Sequence, residues 1–211
     1  MDANETKTLV RDKYAEIASG KSTCCGKRTA ASAYAGVGAA YAEVEGYVNE
    51  ADLGLGCGVP TELAGLAPGQ TVLDLGCGAG NDVFIARRCV GDAGRVIGLD
   101  FTPEMLAKAE ANRARLGFEN VEFRQGEIES MPVADGEIDV VISNCVLNLV
   151  PDKAAAFQEI FRVLKPGGHF TVSDVVLEGT LPPKMKGAAE LYVGCVAGAL
   201  QKGAYLDAVK A

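Results

Sequence analysis

Seven cysteines, at positions 24, 25, 57, 77, 89, 145 and 195, give this 211-residue chain its widest chemical range. They fit no common metal pattern. There is no C-x-x-C pair, and His169 is the one histidine, so a structural zinc site of ordinary spacing is not supported. An odd count also argues against a disulfide framework. What remains is a mixture of thiols packed as small hydrophobes and thiols kept for their reactivity. Cys145 poses the choice most sharply, because "SNCVLNL" puts it at the tip of a buried apolar run. Packing would explain such a thiol, and so would a bound ligand.

A second group of residues belongs to a binding loop. "LDLGCGAG" sets Asp74, Gly76, Gly78 and Gly80 at alternate positions where an apolar run ends. Glycines let the backbone turn sharply and approach a ligand closely, and a following helix offers free N–H groups. Dinucleotide enzymes use a related loop, but theirs is G-x-G-x-x-G and this one is G-x-G-x-G. A nicotinamide-dependent oxidoreductase is disfavoured on that ground. The next apolar run ends in Asp100, where a nucleotide's ribose hydroxyls lie in sheets of this kind. The third ends at "GEIE", which places Glu127 where a carboxylate can accept from an adenine amino group. Either acid alone reads as a turn residue or a surface charge; in register behind the glycine loop they reinforce each other.

The elements that must position these residues are legible from periodicity. Leu9, Val10, Tyr14 and Ile17 have helical spacing within residues 4–18. The stretch to about residue 69 reads as loops around a short helix. From Thr71, short apolar runs alternate with helices: "TVLDLGC", "RVIGLD", "VEFRQGEI", "EIDVVISN" and "HFTVSDVVL" are five expected strands. The helix "TPEMLAKAEANRARLG" has Thr102 at its N-cap, Pro103 in its first turn and Gly117 at its end. Another, "DKAAAFQEIFRVLKPGG", is expected to stop at Pro166 and Gly167. The alternation predicts an α/β fold, Rossmann-like, with a mostly parallel, doubly wound sheet covered on both faces. Such a sheet usually carries more strands after the fifth, so the C-terminal strands are expected to be missing from this chain. The expected divisions are an N-terminal helical and loop cap over 1–60, a binding core over 61–178 and the start of a substrate-side region over 179–211.

Together these residues resemble the class I S-adenosylmethionine-dependent methyltransferases over roughly residues 60 to 178. That likeness implies that Asp74, Gly76, Gly78 and Gly80 cradle the amino-acid end of S-adenosylmethionine. Asp100 would take its ribose and Glu127 its adenine edge, with Met105 near the adenine face unless it is simply core. The longer strings "SNCVLNLVPDK", "GYVNEADLGLGCG" and "LYVGCVAGAL" are more specific, and with them the chain is similar to the arsenite S-adenosylmethionine methyltransferases. The resemblance implies that Cys145 and Cys195 hold trivalent arsenic. Cys57 would be a third thiol that ligates arsenic or forms a disulfide, with Cys24 or Cys25 as its redox partner. It further implies an external thiol reductant such as thioredoxin or glutathione. Asn144 would shape the methyl-transfer pocket beside the cofactor, or merely end its strand. Cys77 and Cys89 read as packing.

The chemistry suits the residue types. Trivalent arsenic is soft, and thiolates suit soft centres. Its lone pair is the nucleophile, so no general base is required, which agrees with a chain that holds a single histidine. The expected activity is methyl transfer to arsenite or methylarsenite, as arsenic detoxification. The alternatives are methyl transfer to another small metabolite, such as a quinone precursor, and a non-catalytic arsenic binder or thiol sensor. A formal net charge of −8 without a Lys/Arg cluster argues against a nucleic-acid substrate. No apolar run approaches the length that spans a membrane, and the polar start lacks a signal peptide's apolar region, so a cytoplasmic protein is expected. Nothing apolar and regular demands a coiled-coil partner, so a monomer is expected.

Overall fold

A computed structural model describes residues 2–21, 41, 43–179, 195 and 198–210. The chain opens with helix α1, Ala3–Ala18, whose start is set by a capping box: Asp2 accepts from the Glu5 N–H while Glu5 accepts from the Asp2 N–H. A short helix α2, Pro60–Leu63, follows. The described residues then alternate strand and helix: β1 (Thr71–Leu75), α3 (Asn81–Val90), β2 (Arg95–Asp100), α4 (Pro103–Leu116) and β3 (Val121–Gln125). They continue with β4 (Ile138–Asn144), α5 (Lys153–Val163), β5 (Leu164–Ser173) and a last helix α6 (Lys202–Lys210).

The five strands pair in parallel in the order β3-β2-β1-β4-β5. The chain moves outward from β1 to β3, then crosses back to lay β4 on the other side of β1. That reversal opens a crevice beyond the carboxyl ends of β1 and β4, the place where such sheets bind ligands. Strand pleating sends alternate side chains to opposite faces. Leu73, Leu75, Ile97, Leu99 and Val141 join the core under α5 and α6, with Phe157, Ile160 and Tyr205. Val72, Val96, Val140 and Ile142 join the opposite core, with Val83, Phe84 and Val90 of α3. Both faces are covered, which explains why the strands read as nearly continuous apolar runs.

Three expectations need correction. Helix α5 ends at Val163 and β5 begins at once with Leu164, so "KPGG" lies inside the strand and is not a helix stop. Lys165, directly before Pro166, is kept out of helical geometry by the proline ring, and Leu164 is already extended and pairs with Ile138. The strand also ends at Ser173, short of the expected "VVL". Thr102 does stand at the N-cap of α4 as expected, although its side chain makes no capping bond and the carboxylate of Asp100 accepts its N–H. Cys89 is exposed on α3 and is not a core residue.

Candidate functional site

The glycine loop forms one wall of the crevice. Gly76, Gly78 and Gly80 all have positive φ, at 66°, 52° and 95°. At Gly76 a Cβ would come within 2.5 Å of Val146, so the loop packs directly against the residue after Cys145. At Gly78 the nearest atom to such a Cβ is the Met105 sulfur at 4.0 Å, which leaves the loop's crown open. Cys77 packs over Gly98, where an added Cβ would meet its sulfur at 2.9 Å, so this thiol is a packing residue.

Three buried carboxylates surround the loop. Asp100 accepts from the N–H groups of Gly78, at 3.0 Å, and Thr102, at 2.8 Å, and so ties the loop to the end of β2. Asp74 is 2% exposed at the end of β1, and Asp82 sits in the first turn of α3. Burial raises all three above the usual carboxylate range. The charges of Asp82 and Asp100 push Asp74 further, and Asp82 rests at about 6. Hydrogen bonds from Asn144 and Tyr41 oppose the rise at Asp82. Such a corner favours a cationic ligand, whose charge would offset the burial cost. Asn81 lines the same cavity, and its Oδ1 is buried without a hydrogen-bond partner among the described residues. These features fit S-adenosylmethionine, which carries a sulfonium and an ammonium.

Cys145 also lines the cavity, and Cys57 and Cys195 meet it without lining the cavity themselves. Cys57 and Cys145, 88 residues apart, are joined as a disulfide with their Cα atoms 5.6 Å apart. The thiol of Cys195 donates to the Cys145 carbonyl oxygen at 2.9 Å. Val10 and Leu149 share the pocket in which Cys145 and Cys195 are buried, and Cys57 packs against it. Cys145 and Cys195 are also the non-glycine residues with positive φ among those described, at 57° and 62°. A side chain in the left-handed region costs roughly 1–2 kcal/mol, and such strain collects at functional sites. In this oxidised arrangement no ready cluster of three metal ligands exists among the described residues; capture of a thiophile requires the pair to be reduced.

The remaining expected site residues are placed as follows. Cys24 and Cys25 lie outside the described residues, and the partner of Cys57 here is Cys145. Met105 is fully buried and does not line the cavity. Glu127 does line it, but its carboxylate accepts from Lys7 of α1 at 2.6 Å. Lys7 also pairs with Glu129 at 3.1 Å, so α1 is latched across the adenine side expected for the pocket. The side-chain amide of Asn144 is engaged by protein groups on every side: the Cys57 N–H, the Gly58 carbonyl, the Tyr41 hydroxyl and Asp82. His169 lies on β5 with Nε2 2.8 Å from the Ala64 carbonyl oxygen, a structural contact outside the cavity. Sequence reasoning missed Lys7, Tyr41, Asn81 and Asp82. Asn81 and Asp82 had a signal, since they open the helix after the glycine loop; Lys7 and Tyr41 had none.

Residues 66–210 match the family described as a methyltransferase domain, and the chain belongs to that family. Its fold is that of the class I S-adenosylmethionine-dependent methyltransferases, and S-adenosylmethionine is the cofactor of that class. More particularly, the chain is 47% identical to an arsenite methyltransferase of Halobacterium salinarum, over 94% of this chain and 54% of that protein. An arsenite methyltransferase of Aquipseudomonas alcaligenes is 44% identical over 69% of this chain and 43% of its own length. The crystal structure of an arsenic(III) S-adenosylmethionine methyltransferase from Chlamydomonas reinhardtii superposes with a TM-score of 0.66 at 41% identity. That match covers 74% of this chain and 54% of the other. The chain thus spans about half the length of the relatives it resembles.

Proposed function

We propose that this chain methylates trivalent arsenic, arsenite or methylarsenite, held by the thiols of Cys57, Cys145 and Cys195. The observation that carries the reading is their convergence. Positions 88 and 50 residues from Cys145 meet it at the crevice mouth, one residue from the Val146 contact with the glycine loop. A methyltransferase for an ordinary carbon, nitrogen or oxygen acceptor has no need of three thiols there.

Asp74, Gly76, Gly78 and Asp100 would hold the cofactor, with Asn81 and Asp82 added from the structure. Bound S-adenosylmethionine supplies a methyl group on a sulfonium, an electrophile that needs no further activation. The chain's part is orientation: thiolates fix the arsenic with its lone pair toward the crevice, and Val10, Cys195 and Leu149 keep water away. Methylation takes arsenic from the trivalent to the pentavalent state. Its return needs two electrons, which arsenic gains when two of the thiolates that hold it leave and join as a disulfide, two As–S bonds breaking as one S–S bond forms. Cys57 and Cys145 are joined in that way here, which supports their use as the internal donor. Reopening the pair then requires an external thiol of the thioredoxin or glutathione class. A cytoplasmic monomer suits this chemistry, because the cytosol keeps thiols reduced.

Mass spectrometry of products from arsenite and from methylarsenite, with labelled cofactor and glutathione, tests the proposal. Methylated arsenic is expected from the wild type and not from Cys145→Ser. Unchanged methyl transfer to arsenic by Cys145→Ser overturns it.

A further inference from the structure

The segment that carries Cys57 belongs to no helix or strand, yet its thiol meets Cys145 at the end of β4. Its position traces to one side chain. Asn144 Oδ1 accepts from the Cys57 N–H at 2.9 Å, and Asn144 Nδ2 lies 2.9 Å from the Gly58 carbonyl oxygen. The N–H of Cys57 and the carbonyl of the residue after it are therefore bound to the same amide. The amide is itself fixed from behind. Asn144 Nδ2 is 2.5 Å from the Tyr41 hydroxyl and 3.0 Å from Asp82 Oδ2, and the Tyr41 hydroxyl donates to Asp82 at 2.8–2.9 Å.

Glycines on either side make the approach possible. At Gly56 a Cβ would stand 2.9 Å from Asn144 Nδ2, and at Gly58 one would stand 2.8 Å from Ser173 Oγ. The segment is thus seated on the ends of β4 and β5, and the Cys145 N–H donates to the Ser173 carbonyl at 2.7 Å. An asparagine amide has two donor hydrogens and one carbonyl oxygen, and here both kinds of group are taken up within the protein.

We propose that Asn144 is a positioning residue for the thiol pair: its amide, anchored on Asp82 and Tyr41, holds Gly56–Gly58 so that Cys57 faces Cys145. This assigns Asn144 to the thiols and not to the cofactor, and it rests on the reading above only for what the thiols do. With the amide removed, the segment regains conformational freedom, and the effective concentration of one thiol at the other falls.

The test is the thiol–disulfide equilibrium of the full chain in glutathione buffers, without arsenic or cofactor. In it, two protein thiols become a disulfide as one glutathione disulfide becomes two glutathione thiols. Alkylation and mass spectrometry of the Cys57 and Cys145 peptides give the constant. Asn144→Ala is expected to lower it at least tenfold, which raises the reduction potential by about 30 mV. Gly56→Ala intrudes on the same amide from the other side and is expected to shift the constant in the same direction by at least about threefold, the size of one modest hydrogen bond. It decides the matter if Asn144→Ala does not fold. Tyr41→Phe, which leaves the bond to the Cys57 N–H, is expected to fall between wild type and Asn144→Ala. Folded variants whose constants stay within twofold of wild type overturn the proposal. So does a loss of S-adenosylmethionine binding in Asn144→Ala with an unchanged constant, which would make Asn144 a cofactor ligand. Because arsenic is absent, either result is independent of whether arsenic is the methyl acceptor.

Discussion

Gly76 and Gly78 look equivalent in the sequence, two glycines of one loop, but their surroundings predict different outcomes when each becomes alanine. At Gly76 the new Cβ meets Val146 Cγ2 at 2.5 Å and Cβ at 2.7 Å, and φ is +66°. Ordinary carbon contacts lie near 3.5–4.0 Å, so something must move by about 1 Å. Val146 follows Cys145 directly, and the movement reaches the thiol. The left-handed backbone costs about 1–2 kcal/mol for a side chain and the overpacking about 1–3, so Gly76→Ala should lose about 2–5 kcal/mol. At Gly78, with φ +52° and the nearest atom 4.0 Å away, only the backbone strain of about 1–2 kcal/mol applies. Urea unfolding of the two variants and the wild type, under reducing conditions, measures both losses. Gly76→Ala should also slow Cys57–Cys145 disulfide formation, whereas Gly78→Ala should leave it near wild type. If the two variants lose equal stability, or if Gly78→Ala loses more, the packing of the loop on Val146 does not carry the weight assigned to it.

Other consequences can be measured separately. Cys195→Ser should still form the Cys57–Cys145 disulfide, while the reduced protein binds arsenite at least about tenfold more weakly, or ~1.4 kcal/mol; equal affinity by thiol titration would remove Cys195 from the site. Asp82, at about 6, and its neighbours Asp74 and Asp100, also raised by burial, must ionise to receive a cation. Cofactor affinity should therefore weaken as pH falls through about 6, with protons released on binding, as calorimetry in two buffers can show. The same shift favours the protonated form in the cofactor-free fold, which should gain stability from Asp82 as pH falls below about 6 toward ordinary carboxylate values. Asn148 is fully buried, and its amide donates to Asp174 at 2.7 Å and to the Val175 carbonyl at 2.6 Å. Asn148→Ala leaves both acceptors short of a donor and should cost about 2–4 kcal/mol in urea unfolding; a loss below about 0.5 would contradict that account.

The sequence by itself determined the elements and the edge of the sheet on which chemistry takes place. Apolar runs of strand length, Pro103 and Gly117 bounding α4, and the D-x-G-x-G-x-G spacing all report local backbone requirements. Such requirements are written within a few residues of where they act. Asp74, Asp100 and the glycines were legible for that reason, and Cys145 because it follows a strand. The end of α5 was not, because pairing of Leu164 with Ile138 outweighed the helical pattern that ran on to Pro166. Only the tertiary structure decided which thiols meet, that Lys7 from α1 takes the Glu127 carboxylate, and that Asn144 binds the Cys57 backbone. These contacts join residues 88, 120 and 87 positions apart. No local propensity encodes contacts at such separations. They exist because the β3-to-β4 crossover, α1 and the loop at Cys57 are brought to the same end of one sheet.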